Sequence, residues 1–96
     1  MDKKNFIKLH DISHVAYGKF QIVTFILNTS HIIDITEDVN SRGYSLEDII
    51  DEDKSKVCEE TFGKYLCHIT TDRLDVNGKP KVFRAIEDES YIYDQL

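Results

Sequence analysis

The chain contains 96 residues with a mass of 11.2 kDa, and its 12 Lys and Arg against 18 Asp and Glu leave a formal charge of −6. This length predicts one hydrophobic core and one domain over residues 1–96, and a composition 41% hydrophobic and 31% charged excludes an intrinsically disordered chain. The longest apolar stretch, Ile22 to Leu27, already contains Thr24 and falls far short of the ~20 residues a membrane-spanning helix requires.

Twelve Ile, six Val and six Thr against only Ala16 and Ala85 favour strands over helices. The N-terminus, Met1-Asp2-Lys3-Lys4-Asn5-Phe6, has neither the apolar core nor the cleavage site of a signal peptide. The expected location is therefore the cytoplasm, with Cys58 and Cys67 as free thiols. Asn5–His10 and Ser13–Tyr17 alternate weakly and predict two short strands, the second broken at Gly18. Phe20–Leu27 is β-branched and aromatic, and Asn28-Thr29-Ser30 separates it from a second such run, His31–Thr36; the pattern predicts a hairpin. Both faces of the first run are apolar, so that strand is expected at the centre of a sheet.

Glu37–Tyr44 is polar and reads as a loop. Ser45-Leu46-Glu47-Asp48 then resembles a helix start, with a capping serine and carboxylates in the first turn, where they oppose the positive end of the helix dipole. Leu46, Ile49, Ile50, Val57, Cys58 and Phe62 form an apolar stripe interrupted at Asp51-Glu52-Asp53. The stripe predicts one helix ending at Gly63, or two short ones. Lys64–Thr71 reads as a strand, and Arg73–Val76 alternates into Asn77-Gly78, a strong hairpin signal. The return strand is Lys81–Ile86, with Pro80 at its entry, where the missing N–H does least harm. Tyr91-Ile92-Tyr93 reads as a last edge strand or a docked tail. The predicted fold is α+β: an antiparallel sheet of about five strands with one helix, or two short helices, near residues 46–62.

The chain is poor in catalytic signals. His10 and His14 share one helix face only if their segment is helical. On the strand predicted there, the rings stand about 13 Å apart, too far for one zinc ion. Cys67 and His68 are adjacent and point to opposite faces of a strand, so they do not pair as nucleophile and base. Asp38–Gly43 imitates the start of a calcium loop, but Arg42 and Ile49 occupy two ligand positions. No catalytic residue, metal ligand or cofactor is expected.

The charge is unevenly placed. Residues 34–60 hold ten acids against Arg42, Lys54 and Lys56, and residues 87–96 hold four acids and no base, so these two segments carry −11 while the remainder carries +5. On a helix, carboxylates at i and i+4 repeat about every 6 Å, close to phosphate spacing. Glu47 with Asp51 and Asp48 with Glu52 satisfy that relation, and Asp53, Glu59 and Glu60 extend the array. The expected function is a small non-enzymatic interaction protein whose acidic surface occupies a basic, nucleic-acid-handling partner, such as a nuclease, and inhibits it. Phage-type inhibitors, nucleic-acid mimics and immunity proteins share this composition, an analogy that implies no family. Tyr44, Tyr91 and Tyr93, beside acidic residues, are the candidate anchors. Without a basic stripe, the chain is not expected to bind nucleic acid or a membrane itself. Two other readings follow from the same residues: a ligand- or metal-binding domain using His10, His14, His31 or His68, and a homodimer or larger oligomer paired through edge strands.

Overall fold

A computed structural model describes residues 5–15 and 18–96. The fold is α+β with five antiparallel strands, as composition and patterning predict. β1 (Phe6–His14) pairs with β2 (Phe20–Asn28) in unbroken register from Phe6 opposite Asn28 to His14 opposite Phe20. β3 (Ile32–Asp38), β4 (Phe62–Leu74) and β5 (Pro80–Glu87) form a second ladder in the order β3-β4-β5. A short helix, α1 (Glu89–Asp94), closes the chain. No helix among the described residues is long and apolar enough to cross a membrane.

The expected hairpin between Phe20–Leu27 and His31–Thr36 is not formed. One 3-10 turn, Thr29–His31, joins the two strands, and they pair with different neighbours, β1 and β4. The Asn28 side chain accepts from the Ser30 backbone N–H at 3.0 Å, which bends the chain without reversing it. β2 is an edge strand rather than a central one, with Val23 and Ile26 on the surface. The expected break between His10 and Ser13 is likewise absent, because β1 runs through. The proposed strand residues Ala16 and Tyr17 lie outside the described residues.

The Asn-Gly hairpin forms as predicted. Gly78 takes φ +76°, a conformation that suits glycine, and the Asp75 carboxylate accepts from the backbone N–H groups of Asn77 and Lys79. Pro80 begins β5 opposite Leu74.

The helical segment near residues 46–62 consists of three 3-10 turns, Leu46–Asp48, Asp51–Lys56 and Glu59–Thr61. Extended residues at Ile49, Ile50, Val57 and Cys58 separate them. On an α-helix Asp53 would fall within the apolar stripe, three, four and seven residues from Ile50, Ile49 and Leu46. Here Asp53 is buried, and its carboxylate accepts from the Ile22 N–H of β2 at 2.8 Å. The Ile50 N–H donates to the Phe20 carbonyl at 2.9 Å, so the segment is stitched along the outer edge of β2. The terminal run Tyr91-Ile92-Tyr93 is helical, not a strand: the Asp88 carboxylate accepts from the Ser90 N–H at 3.1 Å and starts α1.

Adjacent residues on β4 and β5 serve two cores. Cys67, Ile69 and Ala85 join Ile7, Leu9, Leu27, Ile35 and Ile92 in one cluster, while Leu66 and Ile86 join Ile12, Ile22 and Ile49 in the other. α1 covers the first through Ile92, and the 3-10 segment covers the second through Ile49, both wholly buried. β1 and β5 lie side by side without a backbone ladder. Two side chains of β5 bridge them instead: Glu87 reaches His10, and Arg84 reaches the Asp11 carboxylate at 2.8 Å and the Ile12 carbonyl at 3.1 Å.

Candidate functional site

The ten residues singled out in the sequence do not form one array. Glu47 and Asp51 fall on different 3-10 turns, as do Asp48 and Glu52, so the 6 Å helical repeat of carboxylates does not exist. Several of these acids hold structure together. The Asp48 carboxylate accepts from the Ser45 N–H at 2.9 Å, and this bond, aided by the Arg42 guanidinium, holds its carboxyl below the usual aspartate range. Glu59 accepts from the Leu46 N–H at 2.9 Å and ties the third turn to the first. Asp53 is 6% exposed; Lys56 at 2.8 Å and the Ile22 N–H lower its pKa. Asp51 is lowered by its hydrogen bond to Lys54 at 3.0 Å. Glu47, Glu52 and Glu60 remain exposed and without an ion-pair partner among the described residues.

The tyrosines divide in the same way. Tyr44 is half-buried, edge-on to Phe20 with ring centroids 5.1 Å apart and beneath the Arg42 guanidinium at 4.6 Å. Tyr91 packs against the first core cluster. Tyr93 alone of the three is exposed.

The fold assembles an acidic group that no local spacing announces. α1 packs on β3, and this brings residues 34–38 and 88–89 together although they lie far apart in the sequence. Desolvation first, then a hydrogen bond to Glu37 and the negative charges of Glu37, Asp88 and Asp34, raise the pKa of Glu89 above its ordinary value. The same field reaches inward. Burial pushes the Cys67 thiol up to about 12, with further contributions from Glu37, Glu89, Asp88 and Glu87. Asp34, Glu37, Asp88 and Glu89 have no cationic partner among the described residues. The sequence signal for this group is the segment charge alone; finding its members requires knowing that the C-terminal tail docks on β3.

The histidines are dispersed. His10 is buried rather than superficial and hydrogen-bonds to Glu87; His14 is exposed and lies edge-on to Phe20 at 5.6 Å. His31 contacts Asp72 at 2.8 Å, and His68 lies 3.8 Å from Asp38. Among the described residues no group of three or more His, Cys, Asp or Glu side chains is placed to hold a metal ion. Concavities among the described residues include two on the surface. One, of about 320 Å³, lies between the start of β1 and α1 and includes His10 in its lining. The other, of about 380 Å³, is lined by Val23, Phe25, Val82 and Phe83 with the Asp11–Arg84 ion pair at its side. No protein-family model, curated protein or solved structure matches this chain.

Proposed function

We propose that the protein is a small non-enzymatic interaction module that docks its acidic β3–α1 face against a basic protein and neutralises it. The observation that carries this reading is the packing of α1 on β3, which gathers Asp34, Glu37, Asp88 and Glu89 with no cationic partner among the described residues. Mutual repulsion opposes folding, and a cationic partner surface relieves it on binding. Tyr93, exposed on α1, supplies an amphipathic anchor beside the charge. Glu47, Glu52 and Glu60 add a wider negative field that steers the encounter.

A basic cleft of the kind that handles nucleic acid is the complementary surface. Docking there proceeds through a compact acidic patch with an aromatic anchor, not through carboxylates repeating along a helix. The test is affinity capture from the native cell after nuclease digestion, with the natural chain and with Glu37→Gln/Glu89→Gln as bait. The expected result is capture of basic nucleic-acid-binding proteins at low salt, with loss at high salt and with the variant. Capture that is indifferent to both changes contradicts the reading.

A further inference from the structure

The structure assigns a second binding site, for a small oxyanion, to the cavity between the start of β1 and α1. The cavity measures about 320 Å³, at the lower end of the range of roughly 300–1,000 Å³ typical of small-molecule sites. Its two charged corners are Lys8 and Lys56, Tyr91 and Gln95 add polar groups, and His10 forms part of the lining. This is a cationic hollow in a chain of net charge −6.

His10 is built for such a ligand. Its side chain is 10% exposed, and both oxygens of the buried Glu87 carboxylate are committed to it. The His10 backbone N–H donates to Oε1 at 3.0 Å, and Nδ1 lies 2.6 Å from Oε2. With Glu87 accepting, Nδ1 carries a proton and the ring is fixed in orientation. Nε2, the remaining nitrogen, is buried and has no hydrogen-bond partner among the described residues. A buried polar atom in that state calls for a missing partner. With a proton on each ring nitrogen, an oxyanion accepting from Nε2–H would complete a line of alternating charge from Glu87 through His10 to the ligand. The Lys8 and Lys56 ammonium groups neutralise the ligand from the rim; Lys56 keeps its contact with Asp53 at 2.8 Å.

The ligand chemistry is a phosphate or carboxylate group, and two probes separate the sources: inorganic phosphate and acetate, each titrated into the full chain at constant ionic strength maintained with chloride. The readout is NMR of the His10 ring nitrogens together with the amide signals of Lys8, Lys56, Tyr91 and Gln95. Saturable one-to-one shifts of the ring nitrogens and these amides are expected with at least one probe, the tighter of the two identifying the source. Lys8→Gln, a surface change, and Lys56→Gln, which also removes the ion pair to Asp53, are each expected to weaken binding about tenfold, the scale of one charge-assisted hydrogen bond. Glu89→Gln on the other face is expected to leave affinity unchanged. Shifts that fail to saturate, ring nitrogens that stay still while lysine signals move, or affinity indifferent to both lysine changes would each overturn the assignment.

Discussion

Glu87 and Glu89 lie two residues apart, yet one closes the seam between β1 and β5 and the other belongs to the acidic β3–α1 face. Glu87 is buried, with both carboxylate oxygens satisfied by His10. Glu89 shares its surroundings with Glu37, Asp88 and Asp34, and its pKa is raised. The contrast teaches that a net charge of −6 mixes two kinds of carboxylate. Glu87, Asp53, Asp48 and Glu59 take the place of backbone hydrogen bonds where strands and turns meet without a ladder. Asp88 caps α1 and Asp34 accepts from the neighbouring Ile35 N–H, but Glu37 and Glu89 make no such repair, and the proximity of the four costs stability that a cationic partner recovers.

The largest expected effect comes from breaking the first kind. Glu87→Ala leaves the His10 backbone N–H and ring without acceptors in a closed seam, and a loss of about 3–5 kcal/mol is expected by urea unfolding. Asp53→Asn is expected to destabilise by less, because the amide oxygen still accepts from Ile22 while the Lys56 pair is lost. Its pKa is lowered in the folded protein, so the Asp53 contribution is present above the ordinary value of 3.8 and lost as pH falls through the folded value. The stability gap between the natural chain and Asp53→Asn should therefore close in acid.

Glu89→Gln is expected to act in the opposite direction and by a smaller amount. A raised folded pKa gives stability that is full below the ordinary value of 4.5 and lost as pH rises through the folded value. The variant should then be more stable than the natural chain at neutral pH and gain no such advantage in acid, and added salt should shrink the difference. Least visible in stability is the thiol contrast. Cys58 is exposed and Cys67 is buried with its pKa near 12, so a thiol reagent applied to the native protein should label one cysteine promptly and the second only on unfolding.

Strand identity was most legible in β2 and β3, where β-branched and aromatic residues dominate, and less so in β1, where polar Asp11 and Ser13 suggest a break; the β4–β5 turn was legible because Asn77-Gly78 fixes its own geometry. Pairing was less so. Phe20–Leu27 and His31–Thr36 look like a hairpin locally, and only their partners β1 and β4, the latter more than thirty residues on, show that the chain bends at Thr29 instead of reversing. The segment 46–62 carries helical spacing, but the carboxylate of Asp53 is drawn to Ile22 and a regular helix is broken into 3-10 turns. α1 was hidden because Tyr91-Ile92-Tyr93 alternates like a strand, although Asp88 with Glu89 is a workable helix start. The acidic surface was legible as segment charge but not as a site. Which acids are structural depends on contacts that span 77 residues for His10 and Glu87 and 31 for Ile22 and Asp53.

The most direct test of this division is urea unfolding of Glu87→Ala and Glu89→Gln side by side at neutral pH and low salt. The account predicts opposite signs, with Glu87→Ala strongly destabilised and Glu89→Gln more stable than the natural chain. Destabilisation of both variants would contradict it, since the β3–α1 carboxylates would then be supporting the fold rather than straining it.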